Sequence, residues 1–177
     1  HQADVVSAVI PIKDDRGITS TAILGETPWD RRRLTTTEIF KLPETLGVEE
    51  TFQLGINPDR RPLLVNTGCW MADLRRPMFH ETDEEGWFKI YFTIRDGLRR
   101  VGTQLHIRLE PEDWFFSRRI AETNPDAKVL ATRKVRVQHH GQTVWPNDQV
   151  FGQWKVDREV VEEPPMIPWP AATQPQQ

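Results

Sequence analysis

Apolar and polar residues alternate along several stretches of the chain, a pattern typical of strands with one buried and one exposed face. The clearest alternation covers residues 87–95, and Asp96-Gly97, a dipeptide favoured in tight hairpin turns, follows it directly. Alternation resumes at 104–109, so the pattern predicts a hairpin of two antiparallel strands. In the second strand, the side chains predicted to face the core are Leu105, Ile107 and Leu109.

Further stretches that are rich in β-branched or alternating apolar residues are also strand candidates: 5–12, 19–24, 36–42, 51–56, 63–65, 128–138 and 151–161. About 8–10 short strands, separated by clusters of Gly, Pro, Asn and Asp, predict an all-β protein. The expected architecture is an antiparallel β-sandwich of jelly-roll type. Helical periodicity is weak. We expect at most one or two short helices, with 36–42 and 110–121 as the places where a helix is an alternative.

The composition changes near the C-terminus, where five prolines fall within the last sixteen residues. Proline cannot donate a hydrogen bond to a strand ladder, so residues 162–177 are predicted to form an extended tail. Residues 1–161 then form the β-sandwich domain. We expect three apolar side chains of the tail, Met166, Ile167 and Trp169, to anchor it to another surface.

The overall composition limits the class of protein. A chain of 177 residues is long enough for one domain with its own core. The single cysteine, Cys69, excludes an intrachain disulfide framework. No apolar run reaches the roughly 18 residues of a membrane-spanning helix. The net charge of −3 gives no overall attraction to nucleic acid.

Arginine outnumbers lysine 17 to 6, and many of the arginines are adjacent in the sequence. The run Arg31-Arg32-Arg33 is predicted to bind a partner, because guanidinium groups hold carboxylates and phosphates bidentately. Nearby acids, namely Asp30, Asp59, Asp73 and Asp96, are expected to pair with the arginine runs and weaken any basic surface. The sequence therefore favours other copies of the chain, or sibling subunits, over nucleic acid as partners.

Residues that often carry catalysis are present, but their spacing favours structural roles. Cys69 has apolar neighbours and is expected to be a small buried side chain. His139 and His140 are adjacent, so in a strand they would point to opposite faces and could not share one metal ion. Paired acids can hydrolyse glycosides, yet 81–85 and 110–113 lie at strand boundaries, where solvated charges are common. We predict no catalytic residue, metal site or cofactor from these residues.

Two functions from different classes fit these patterns. The chain has seven tryptophans, and arginine and tryptophan concentrate in protein interfaces. The first function is therefore a non-enzymatic structural subunit of a larger assembly. A β-sandwich with an extended terminal arm resembles the jelly-roll coat proteins of small RNA viruses. This resemblance implies a capsid or similar shell protein, located in a virion or another large assembly.

The alternative function is a secreted β-sandwich that binds carbohydrate through surface aromatic residues such as Trp87 and Tyr91. Further tryptophans considered for such a surface are Trp29, Trp114 and Trp145. In the same class, an N-terminal His1 would bind copper through its amine and imidazole groups, which resembles the histidine-brace proteins. The two functions differ in what they require of the surface: a broad protein contact or a small-ligand site.

Overall fold

Short strands in four small sheets make up most of the regular structure. A computed structural model describes residues 3–101, 103–141, 143–152 and 154–156. The strands of this part of the chain are β1 (Val5–Ala8), β2 (Ile18–Leu24), β3 (Arg31–Thr35), β4 (Thr45–Leu46), β5 (Leu63–Leu64), β6 (Trp70–Ala72), β7 (Arg95–Val101), β8 (Gln104–Glu110), β9 (Val129–Thr132), β10 (Gln138–His140) and β11 (Val144–Pro146). The helices are α1 (Thr36–Lys41), α2 (Val48–Gln53) and α3 (Glu112–Thr123), and a 3₁₀ turn covers Pro77–His80.

The sheets differ in size and in strand direction. The largest has the order β4-β9-β1-β6, and in it β1 pairs with β9 in parallel but with β6 antiparallel. A second sheet has the order β3-β2-β5, and β7–β8 and β10–β11 are two-stranded sheets. The prediction of a strand-rich protein is confirmed. A fully antiparallel arrangement was wrong, because β1 and β9 run parallel, and these small mixed sheets do not by themselves establish a sandwich.

Helix α3 connects the sheet of β2 to the main core. The buried Trp114 ring donates from Nε1 to the carbonyl of Ser20 in β2, at 2.9 Å. One turn later, Ser117 Oγ accepts from the backbone N–H of Val65, at 3.1 Å. The apolar side chains that α3 adds to the main core are Phe116 and Ile120. Four-residue spacing places these two side chains on one side of the helix, where burial stabilises the packing.

Three α-helices occur among the described residues, which exceeds the one or two that the sequence predicted. Helix α1 begins with a capping box, in which Thr35 Oγ1 accepts from Glu38 N and the Glu38 carboxylate accepts from Thr35 N. Helix α2 begins where the N–H of Gly47 donates to Glu50 Oε2, at 2.7 Å. The strand predicted at 51–56 is therefore wrong, since hydrogen bonds at the helix start outweigh a short apolar alternation.

The second strand of the predicted hairpin is confirmed, because β8 covers Gln104–Glu110, but the first strand, predicted at 87–95, was wrong. Residues 87–94 contain no strand, and Asp96 and Gly97 lie inside β7 instead of in a turn. β7 ends at Val101 and β8 begins at Gln104, and the two strands pair residue by residue from Arg95 with Glu110 onward. A period of two identifies the faces of a strand but does not locate the turn, which explains the error.

The last described residues form a strap over the start of α1. Thr36 Oγ1 donates to the carbonyl of Phe151, at 2.8 Å, and Thr35 Oγ1 donates to the carbonyl of Lys155, at 2.8 Å. No strand occurs in 151–152 or 154–156, so the described part of the predicted strand at 151–161 was wrong. The predicted boundary at 161 and the tail after it lie outside the described residues.

Two glycines make the close contact between this strap and the body of the protein. Gly17 has φ +77°, and a Cβ built there would lie 2.0 Å from the carbonyl oxygen of Phe151. Gly152 has φ +83°, and its Cβ would lie 2.1 Å from the N atom of Gly17. Both positions therefore require glycine for the backbone conformation and for the space.

We predict that Gly17→Ala lowers the free energy of unfolding at least twice as much as the control Gly55→Ala. Gly55 also has positive φ, at +68°, but no atom lies within 4 Å of its Cβ position, so this control costs only the backbone strain of about 1 kcal/mol. Urea unfolding measures both values. Hydrogen exchange at Trp154, whose N–H donates to Arg16, should accelerate in Gly17→Ala alone. Equal costs in the two variants would contradict the close contact.

Candidate protein-binding surface

The β7–β8 hairpin is a two-stranded sheet with two different faces. Neighbouring residues in a strand point to opposite sides. The residue pairs on one face are Asp96 with Leu109, Leu98 with Ile107 and Arg100 with Leu105. Arg95 with Glu110 and Gly97 with Arg108 are pairs on the other face. We call the first set the apolar face, because four of its six residues are Leu or Ile.

The apolar face is exposed, although the sequence predicted that its β8 side chains would be buried. Relative exposures are 68% for Leu98, 61% for Leu105, 80% for Ile107 and 51% for Leu109. Ile94, two residues before Asp96, is also exposed. Single apolar residues on a surface are ordinary, but adjacent ones that form a continuous patch indicate a binding site. The inward placement of Leu105, Ile107 and Leu109 was therefore wrong.

The opposite face of the hairpin packs against the β2–β3 connection. A Cβ at Gly97 would lie 3.2 Å from the indole ring of Trp29, so the absence of a side chain lets the ring approach the strand. The Arg95 guanidinium lies 5.4 Å from the centre of the same ring. Arg108 Nη1 lies 3.5 Å from Asp30 Oδ1. These contacts bind the face that carries more charge to the body and leave the apolar face toward solvent.

A buried ion pair fixes the base of the hairpin. Glu110, the last residue of β8, is 1% exposed, and its carboxylate accepts from Arg118 Nε at 2.7 Å and from Nη2 at 3.0 Å. The guanidinium of Arg118 also donates to Glu122. The hydrogen bond to Glu110 raises the pKa of Arg118 above its ordinary value, so the guanidinium stays charged. The pair ties the hairpin to α3.

The run Arg31-Arg32-Arg33, predicted to bind a partner, contacts its own chain. The guanidinium groups of Arg31 and Arg33 lie over the indole of Trp114, at 4.4 and 4.7 Å from a ring centre. Arg31 also donates to the carbonyl of Leu109, and Arg32 pairs with Glu38. These contacts hold β3, α3 and β8 together. A role for the run in binding a partner stays a prediction.

Elsewhere, Asp59 and Asp73 pair with arginines as expected from the sequence, whereas Asp96 forms no ion pair with the side chains that the structure describes. Arg61 Nε lies 3.2 Å from Asp59, and Arg75 Nε lies 2.7 Å from Asp73. The hydrogen bond from Arg75 lowers the pKa of Asp73 below its usual value. These exposed pairs neutralise the arginines locally and contribute little stability.

The remaining predicted partner-binding residues, Met166, Ile167 and Trp169, lie outside the described part of the chain, and so does His1. Of the tryptophans considered for a carbohydrate surface, Trp87 is exposed, whereas Trp114 is buried. Trp29 and Trp145 are half-buried, the first beneath the hairpin and the second at 5.5 Å from the ring of Phe151.

The structure brings Cys69 and His139 into one cavity of about 430 Å³, together with Asn66 and Gln138. Cys69 is exposed, which corrects the expectation that it is buried. His139 Nδ1 lies 2.9 Å from the carbonyl of Pro11, which orients the ring. Within the described residues, no group of three or more His, Cys, Asp or Glu side chains is arranged to hold a metal ion.

The acidic stretches have structural contacts. In 81–85, Asp83 Oδ1 accepts from the N–H of Glu85 and of Trp87, which closes a turn. In 110–113, Glu110 is paired with Arg118, and desolvation raises the pKa of Asp113 above its usual value. Asp113 accepts from Asn66 Nδ2 at 3.1 Å. Glu110, at the end of β8, and Asp113, in the first turn of α3, therefore have separate partners.

Comparison with known proteins gives no relative: no family model, no curated protein and no solved structure matches this chain. None of the helices in the described part of the chain is long and apolar enough to cross a membrane. The surface of the hairpin is therefore interpreted from its own geometry.

We predict that Arg118→Met lowers the free energy of unfolding by about 3 kcal/mol, because the buried Glu110 would lose both of its hydrogen bonds to Arg118 and, among the described side chains, keep only Arg95 Nη1, at 3.8 Å. Urea unfolding at neutral pH measures the loss. The double variant Glu110→Leu/Arg118→Met should be more stable than Arg118→Met, since it removes the buried charge as well. Arg75→Met, which breaks a pair with an exposed arginine, should leave the unfolding transition unchanged. A double variant less stable than the single one would contradict the role of the pair.

Proposed function

We propose that this chain is a non-enzymatic structural subunit of a larger assembly and that it contacts a neighbouring subunit through the apolar face of the β7–β8 hairpin. The observation that carries the proposal is the exposure of Leu98, Leu105, Ile107 and Leu109 side by side. Covering a Leu or Ile side chain contributes about 1.5–3 kcal/mol when it is exposed beforehand. Four partly exposed side chains therefore supply a useful part of a binding energy.

The non-enzymatic part of the proposal is supported by the contacts of the candidate catalytic groups. Glu110 is bound by Arg118, and the acids of 81–85 close their own turn. Asp113 is hydrogen-bonded to Asn66. These groups serve the fold, whereas the Leu and Ile side chains of the apolar face belong to neither hydrophobic cluster of the described residues. A protein contact is the simplest use for such a face.

A shell or capsid protein with jelly-roll architecture is the finer form of this proposal. The strand-rich composition of the fold and the resemblance to coat proteins with extended arms support it. In this form, the tail residues Met166, Ile167 and Trp169 bind a neighbouring subunit together with the hairpin. The arginines at 31–33 would contribute at the edge of the same contact, because Arg31 already touches the end of β8.

The alternative proposal, a carbohydrate-binding module, is supported by Trp87 and Tyr91, which are both exposed. Aromatic rings in such positions stack on sugars. However, the Tyr91 ring already packs 5.0 Å from the buried Phe115. The assembly proposal explains more of the exposed apolar surface.

We predict that the purified chain sediments as a species larger than a 20.6 kDa monomer, in a concentration-dependent manner. Ile107→Ser should raise the dissociation constant of this association at least about tenfold. Covering the Ile side chain contributes about 1.5–3 kcal/mol, and a loss of about 1.4 kcal/mol corresponds to a factor of ten. The control is Met71→Ser in β6, which removes an equally exposed side chain from another sheet. Neither variant should change the free energy of unfolding appreciably. A monomer at every concentration, or equal effects of both variants, would argue against the proposal.

Removal of residues 162–177 should leave a folded body with weaker association, since this truncation deletes the three predicted anchors. The matched control ends at Pro170 and keeps Met166, Ile167 and Trp169. Circular dichroism and sedimentation of both proteins give the readout. If the longer truncation associates normally, the tail does not bind a neighbour. If it fails to fold, the tail belongs to the core of its own domain.

A further inference from the structure

The charges on the apolar face have a symmetrical arrangement. Along β7, Asp96 and Arg100 lie two residues on either side of Leu98, each at about 7 Å. Both are exposed, and neither forms an ion pair with the residues that the structure describes. Their pairing partners in β8 are leucines. One negative and one positive charge thus flank an apolar centre made of Leu98 and Ile107.

We infer that the apolar face binds the same face of a second copy of this chain. The two copies are related by a two-fold axis that lies between the two faces, perpendicular to the strands, and passes over Leu98 and Ile107. This inference rests on the proposed function and names its partner. A rotation about that axis reverses the strand direction, so Asp96 of one copy lies opposite Arg100 of the other, twice. Leu98 and Ile107 then each lie opposite themselves.

The charge pattern favours this axis over the other face-to-face arrangement. An axis parallel to the strands would place Asp96 and Arg100 over Leu109 and Leu105 of the second copy. Both charges would then lose water without gaining a partner, which is costly. A symmetrical dimer requires a self-complementary surface, and only the axis across the strands makes these charges complementary.

The architecture of the hairpin supports the same conclusion. Contacts with Trp29 and Asp30 cover one face of this two-stranded sheet, and the apolar face has no second layer among the described residues. In the proposed dimer, two hairpins form two layers about 10 Å apart, as in sheet packing elsewhere. The face is about 24 Å long and about 10 Å wide. This is less than the roughly 800 Å² per partner of a standard interface, so the association is expected to be weak and concentration-dependent.

Charge reversal tests the arrangement. Asp96→Arg alone and Arg100→Asp alone should each raise the dimer dissociation constant at least about tenfold, because like charges would face each other twice. An equal mixture of the two variants should associate again, within about threefold of the wild type, since opposite charges then meet at both positions. Sedimentation equilibrium measures the dissociation constants of the two single variants and of their mixture. The controls Glu84→Arg and Arg75→Asp make the same changes of net charge at exposed sites elsewhere and should have no effect.

Cysteine cross-linking tests the position of the axis. In a Cys69→Ser background, a short bis-maleimide should join Leu98→Cys between identical copies, because the residue lies on the axis and the two layers are about 10 Å apart. Thr103→Cys, at the tip of the hairpin, should not be joined, because the two tips point in opposite directions.

The outcomes separate this inference from the proposed function. Restored association in the mixture, together with the Leu98 cross-link, supports both. Wild-type association that charge reversal leaves unchanged, or cross-linking through Thr103 instead of Leu98, overturns the inference and leaves the assembly proposal standing. A monomer at every concentration overturns both.

Discussion

The buried pair of Glu110 and Arg118 is the interaction on which the orientation of the hairpin depends. A carboxylate with 1% exposure needs a complete partner, and the guanidinium supplies two short hydrogen bonds. Because Glu110 ends β8 and Arg118 lies in the middle of α3, the pair holds the hairpin against the helix. Such a pair adds little net stability compared with apolar residues, but it specifies one geometry, since any displacement strands a buried charge.

Helix α3 also contacts the rest of the fold and thereby fixes the hairpin relative to it. Trp114 binds the backbone of β2, and Ser117 binds the backbone at Val65, so both contacts fix the rotation of α3 about its axis. The arginines of β3 lie over the ring of Trp114 and thereby join this network. The arginines that the sequence marked as candidate partner contacts therefore have a structural task as well. An arginine-rich run is a weak guide to a surface when a buried tryptophan lies nearby.

The sequence was sufficient to predict strands, a hairpin at the correct place in the order, and the apolar face of β8. It was not sufficient to predict which face of the hairpin is exposed to water. Alternation shows which residues share a face, but it does not show which of the two faces packs against the body. That choice depends on long-range contacts: Trp29 against Gly97, and Glu110 with Arg118. Local hydrogen bonds at Thr35 and Gly47 likewise decided for helices where short apolar runs indicated strands.

The two charged residues of the apolar face differ from other charged residues of the chain in their ion pairing. Asp30, Asp59 and Asp73, three acids near arginine runs, each have an arginine partner in the same chain. Asp96 and Arg100 lie four residues apart on one strand, yet they remain separated by Leu98, because a strand extends about 7 Å for each two residues. A strand cannot bring these two side chains together on its own face as a helix would bring residues four apart. Neither charge has an ion-pair partner among the side chains that the structure describes. The proposed interface would supply one to each, and the leucines and isoleucine of the apolar face would supply its apolar contact.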